Sequence, residues 1–236
     1  MKIIIGNWKM NGTSKDKTSM IQKISKIKTK NKVILCLPFT LLCGEHGNVQ
    51  IGAQDISIHD NGAFTGDISG KMIAETGAKY VLVGHSERRH NHNETDETTK
   101  AKAETAIKNK LIPIICIGET LAEHESGKTV SVIKKMLKKC LPDSGKFIVA
   151  YEPRWAIGTG KTPTVEQIAK IHNVIFEYLK NIGHKTIPVL YGGSVNQSNA
   201  TYFISVPHVD GLLIGGASLK SDTFLPIIKS IDNMYN

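Results

Sequence analysis

The stretch FIVAYEPRWAIGTGK, Phe147 to Lys161, opens on an unbroken apolar run, turns polar at Glu152, and continues into a loop holding Gly158 and Gly160 and ending in a lysine. Continuous apolarity, as opposed to alternation, suits a strand buried on both faces, as in a parallel sheet. A carboxylate at the end of such a strand needs a reason, and the reason depends on how often the pattern recurs. It recurs eight times: IIIGNWK from Ile3, VILCLP from Val33, VQIGAQD from Val49, YVLVGH from Tyr80, IPIICIG from Ile112, FIVAYEP from Phe147, IPVLYGG from Ile187 and VDGLLIGG from Val209. Stretches of helical character such as NETDETTKAKAETAIKNK and VEQIAKIHNVIFEYLKNIG separate most of them. Strand and helix in eight-fold alternation predict an α/β fold, a closed (β/α)8 barrel formed by residues 1–236 as a single domain. The second unit is thin, because FTLLCGEHGN leaves little room for a full helix.

The chain has 236 residues, 40% hydrophobic and 22% charged, which suits a globular protein with material for one sizeable core. No apolar run reaches the roughly 20 residues of a membrane helix, and the N-terminus lacks the order of a secretory signal. The expected address is therefore cytoplasmic, with no membrane partner. Cys36, Cys43, Cys116 and Cys140 are irregularly spaced, predicting buried reduced thiols and neither a disulfide framework nor a zinc site. The net charge of +9 is concentrated partly between Lys15 and Lys32, where KISKIKTKNK sets lysines beside Ile21, Ile24 and Ile27 at helical spacing. That pattern reads as an amphipathic surface helix with a solvated lysine face. A nucleic-acid partner is not expected, since neither interleaved aromatics nor a recognition motif accompanies the charge.

A barrel places its active site at the C-terminal ends of its strands. Asn7 and Lys9, Gln54, His85, Glu119, Glu152, Ser194 and the pair Gly215 and Gly216 all fall at or just beyond those ends. The glycine pairs in YGGS and IGGASL let backbone amides approach an anion closely, and they follow the last two strands, where barrels commonly hold phosphate. Glu152 alone reads either as a salt-bridged structural carboxylate or as an acid-base group, and His85 and Lys9 at the same mouth favour the second. Lys9 itself reads as an electrostatic stabiliser or as a Schiff-base nucleophile.

Taken in order, GNWKMN, GAQD, GAFTGDIS, GHSERR, CIGE, YEPRWAIGTGK, YGGSV and GLLIGGASL resemble the triosephosphate isomerase family over essentially the whole chain. The resemblance implies interconversion of dihydroxyacetone phosphate and D-glyceraldehyde 3-phosphate through an enediolate, with no metal or organic cofactor. This family is one of the worked cases of pKa tuning, so the roles it implies are taken over from it. Glu152 would be the base, His85 the neutral electrophile, and Asn7 and Lys9 the contacts to the substrate oxygens. Gly158, Ser194, Gly215 and Gly216 would bind phosphate, Glu87 would pair with Lys9, and Glu119 and Trp155 would dock the lid that follows Glu152. The loop Gln54 to Ser69 would form a homodimer, Thr65 reaching the partner subunit's Asn7 and the partner's Lys9. It carries Ile56, Ile58, Ala63 and Phe64, which one barrel has no evident way to bury.

Two residues depart from the family pattern. Arg154 stands where an apolar residue is usual, so the first lid hinge would pack differently or make an ion pair. Pro163 stands where many members offer a backbone N–H to the tyrosine matched here by Tyr191, and proline has none. Two alternatives to the isomerase remain at this level: a Schiff-base aldolase acting through Lys9, and a basic binding protein on an isomerase fold.

Overall fold

The structure, a computed structural model, describes residues 1–157 and 161–234. Each of the eight apolar runs is a strand: β1 (Ile3–Asn7), β2 (Lys32–Leu37), β3 (Gln50–Ala53), β4 (Tyr80–Val83), β5 (Ile112–Ile117), β6 (Ile148–Tyr151), β7 (Val189–Tyr191) and β8 (Gly211–Ile214). All neighbours pair in parallel and the order β1 to β8 closes on itself. Closure sets Ile3 beside Gly211. That position has to be glycine, because a Cβ there would lie 2.1 Å from the Ile3 carbonyl oxygen.

The helices among the described residues are α1 (Ser14–Ser25), α2 (Gly70–Glu75), α3 (Ser86–Asn91), α4 (Asp96–Lys108), α5 (Leu121–Glu125), α6 (Thr129–Cys140), α7 (Val165–Asn181), α8 (Ala200–Ile204) and α9 (Ser221–Met234). The thin second unit holds only a single 3-10 turn, Phe39–Leu41. Thr13, Thr120 and Thr164 start α1, α5 and α7 with reciprocal capping boxes to Asp16, Glu123 and Gln167, which satisfy amides that a helix start leaves open. In α7 the buried stripe is Ile168, Ile171, His172, Ile175 and Leu179, the spacing of one helical face.

Strand side chains alternate between two cores. Ile5, Ile34, Cys36, Leu82, Ile114, Cys116, Ala150 and Leu190 fill the barrel, while Ile4, Leu35, Val81, Val83, Val149 and Leu212 face the helices. This is why the runs are apolar without interruption.

Three expectations need correction. The lysine-rich helix ends at Ser25, short of Lys32. Beyond it Asp232 Oδ1 accepts from the Thr29 hydroxyl (2.9 Å), the Lys30 amide (3.2 Å) and the Asn31 side chain (2.9 Å), which ties the segment to α9 as a connection. Cys36, Cys116 and Cys140 are buried, but Cys43 is exposed, in the connection whose carbonyl takes the Lys17 ammonium at 2.5 Å. Ile56 is fully buried in the outer core, so the barrel does bury this member of its long third loop. Ile58, Ala63 and Phe64 stay exposed as expected. Among the described residues no helix is long and apolar enough to cross a membrane.

Candidate active site

Asn7, Lys9, His85, Glu152, Ser194, Gly215 and Gly216 line one cavity of about 250 Å3 at the C-terminal ends of the strands. Gly158 lies outside the described residues.

β1 delivers the first two residues. The Asn7 side-chain oxygen accepts from the Lys9 amide (3.0 Å) and from the Gln54 side chain (3.4 Å), which fixes its orientation. Lys9 has φ 52°, a left-handed backbone that only a well-braced non-glycine residue keeps. Its ammonium is held by Glu87 at 2.6 Å, so the expected pair forms.

Two residues beyond β4 stands His85, which serves as N-cap of α3. The Glu87 amide donates to His85 Nδ1 at 3.3 Å. Nε2 points at Glu152 Oε1, 3.4 Å away. Burial opposes charging of this ring, but the Glu152 carboxylate and, behind it, the Glu87 carboxylate 3.6 Å from Nδ1 outweigh burial and hold the imidazole above its usual range. The Glu87 amide at Nδ1 finds an acceptor only in the neutral ring, so this hydrogen bond belongs to the tautomer protonated at Nε2. The proton then sits on Nε2, facing the cavity.

β6 delivers Glu152, 4% exposed. Burial by itself would push its carboxyl up, but His85, Lys9 and a hydrogen bond from Cys116 outweigh this and hold it below the usual carboxylate range. Its Oε2 is buried with no hydrogen-bond partner among the described residues. A Cβ at Gly192 would lie 2.8 Å from Glu152 Cγ, so β7 must pass the carboxylate as glycine. The role of Cys116 was missed in the sequence, where the residue read only as a buried thiol; its side chain faces the barrel interior and its register partner on β6 is Ala150, two residues before Glu152.

The Ser194 hydroxyl donates to the Ala156 carbonyl at 2.6 Å, joining the connection after β7 to the segment after β6. The amides of Ser194 and Gly216 meet no acceptor among the described residues. They are the donors an anion entering this end of the cavity would use.

Glu119 is fully buried and receives Trp155 Nε1 (2.9 Å) and the Tyr151 hydroxyl (3.2 Å to each oxygen), with His124 Nδ1 at 3.6 Å. Arg154 forms no ion pair among the described residues and faces a groove shared with His90 and Trp155. Pro163 is buried, and the Tyr191 hydroxyl is buried with no hydrogen-bond partner among the described residues. No group of three or more His, Cys, Asp or Glu side chains among the described residues is placed to hold a metal ion.

The family model for triosephosphate isomerase matches residues 2–231. The triosephosphate isomerase of Alkaliphilus metalliredigens is 46% identical, the match covering 96% of this chain and 98% of that one. That of Albidiferax ferrireducens is 44% identical, over 97% of this chain and 98% of the relative. The crystal structure of triosephosphate isomerase from Bartonella henselae superposes with a TM-score of 0.88 at 39% identity, covering 98% of both chains. A closed eight-stranded barrel, one mouth that gathers Lys9, His85 and Glu152, and a family match over nearly the whole length lead to one assignment: the chain belongs to the triosephosphate isomerase family.

Proposed function

We propose that Glu152, His85 and Lys9 carry the isomerisation of triose phosphate that family membership assigns to this enzyme. The observation that supports the roles most directly is Glu152 Oε2, an ionised carboxylate oxygen buried at the mouth with no partner of its own. In that reading it takes the proton from the substrate carbon beside the carbonyl. The C–H electron pair forms the enediolate double bond, and the carbonyl π pair moves to its oxygen. The neutral His85 donates to that oxygen from Nε2, and the Lys9 ammonium offsets the charge that develops. Returning the proton to the neighbouring carbon, while the other substrate hydroxyl gives up its proton and the former carbonyl oxygen gains one by way of His85, completes the exchange of aldose for ketose, so no redox partner is required. Asn7 positions the substrate oxygens, and Ser194, Gly215 and Gly216, with Gly158 from the sequence, hold the phosphate.

The same reading makes the working unit a homodimer and its address the cytoplasm, where glycolytic substrate is made and used. Support for the dimer comes from the loop Gln54 to Ser69. Its exposed Phe64 lies stacked on His59 at 3.7 Å, and a second concavity of about 630 Å3, lined by Asn7, Lys9, Met10, Phe39 and Gln54, opens beside the mouth.

A coupled isomerisation assay on purified enzyme in EDTA tests the roles. Full activity in chelator is expected, together with a loss of roughly a hundredfold in Glu152→Asp, because the base retreats by about 1 Å. Near-native turnover in that variant would remove Glu152 from the role of base. Borohydride with substrate present should leave Lys9 unmodified, whereas covalent trapping at Lys9 would favour the aldolase reading.

A further inference from the structure

The charge of this barrel is sorted by end. The connections that enter the strands carry Lys2, Lys26, Lys28, Lys30, Lys79, Lys110, Lys146 and Lys185, with Lys32 the first residue of β2. The acids in the same connections are Glu45, Asp143 and Asp210. Two of these are engaged: Asp143 holds Lys100 at 2.6 Å and Asp210 Oδ2 accepts from the Val189 amide at 2.9 Å. At the catalytic end the balance reverses, Asp55, Asp60, Asp67, Glu94, Glu119 and Glu152 standing against Lys9, Lys128, Arg154, Lys161 and Lys220. Lys79, Lys110, Lys146 and Lys185 are exposed and have no ion pair among the described residues. Because all eight strands are parallel and the barrel is closed, these lysines surround one end. Between α1 and α9 runs a groove of about 560 Å3 with Lys23, Lys26, Lys28 and Lys229 around Ile27 and Leu225, in which Asp232 is the one acid.

We propose that this strand-entry end, opposite the active site, is a docking surface for anionic phospholipid headgroups, which it meets edge-on without any membrane-spanning segment. Three observations favour a lipid surface over other polyanions. The lysines form a ring about a closed barrel, where a nucleic-acid backbone would need a track. Among the described residues the one phenylalanine, tyrosine or tryptophan in these connections, Phe147, is buried, and of the histidines there His208 is already stacked on Phe176, so the surface offers bases no run of aromatic platforms. Exposed apolar side chains stand singly among the lysines, Met1 (84%), Ile182 (46%) and Met234 (41%), suited to shallow contact with the acyl boundary. The surface also stays free in the proposed dimer, since the loop Gln54 to Ser69 leaves from the other end of the barrel.

The test is cosedimentation of the full chain with vesicles of phosphatidylglycerol and phosphatidylcholine, against phosphatidylcholine alone, at low and high salt. Binding is expected only to the anionic vesicles and only at low salt. The variant Lys79→Glu/Lys110→Glu/Lys146→Glu should bind at least about a hundredfold more weakly, taking about fivefold per lysine removed from the surface. Lys128→Glu/Lys134→Glu/Lys170→Glu, with the same change in charge nearer the mouth, should bind almost as the wild type does. Both variants should keep wild-type isomerase kinetics in solution, and alanine at the same three positions replaces glutamate if the first variant folds poorly. Equal weakening in both variants, equal binding to neutral vesicles, or binding to an RNA homopolymer or polyglutamate without binding to vesicles would overturn the proposal.

Discussion

His172 offers a test of the electrostatics of this core. It is fully buried on α7, its Nδ1 donates to the His208 carbonyl at 2.9 Å, and its Nε2 has no partner among the described residues. The Tyr151 ring stands edge-on at 6.0 Å and supplies no counter-charge. Burial pushes this imidazole down from 6.5 to about 4. The folded chain therefore refuses a proton that the unfolded chain accepts near 6.5. Between those two values the unfolded state binds more protons, so stability falls as pH drops below 6.5 and stops falling from this source near 4. At 1.36 kcal/mol per unit, the full penalty is about 3 kcal/mol. His172→Gln keeps an N–H for the His208 carbonyl and cannot titrate. Denaturant unfolding should be measured at fixed protein concentration, because dissociation of the proposed homodimer would contribute to apparent stability. Between pH of about 7.5 and about 4.5 the wild type should lose about 2 kcal/mol more than the variant, most of the His172 penalty being reached by then. Equal losses in the two proteins would refute the account of a neutral, solvent-excluded His172.

Other expectations concern the lid and the interface. Pro163→Ala restores an N–H that the orphaned Tyr191 hydroxyl can accept, and phosphate-bearing inhibitors should bind more tightly by up to ~1 kcal/mol, the scale of one net hydrogen bond; unchanged inhibition constants would show that the position is compensated elsewhere. Thr65→Arg should shift sedimentation from dimer to monomer and cost most of the activity on dilution, and a fully active monomer would show that the partner loop is not needed.

The barrel could be read from the sequence because burial on both strand faces removes polar residues from whole runs, and the runs end where the polar site begins. What escaped the sequence depends on contacts between distant segments. The end of α1 at Ser25 follows from Asp232, some two hundred residues on, gathering Thr29, Lys30 and Asn31. Ile56 reads as a loose loop residue until the outer core shows where it packs. His85 and Glu152 could be placed at one mouth from strand ends alone. The hydrogen bonding of His85 could not, because it rests on the Glu87 amide coming within 3.3 Å of Nδ1. The sorting of lysines to one end was equally hidden, since residues scattered through the chain become neighbours only once the barrel closes.

The central claim, proton transfer by Glu152 through an enediolate, is tested most directly by running the isomerisation in D2O and locating deuterium in the product by NMR. The wild type should place solvent deuterium on the carbon that receives the proton, since a carboxylic acid exchanges its proton with water. Glu152→Gln should abolish both turnover and this labelling. Product that retains all of its original hydrogen in the wild type, or undiminished labelling in Glu152→Gln, would contradict the account.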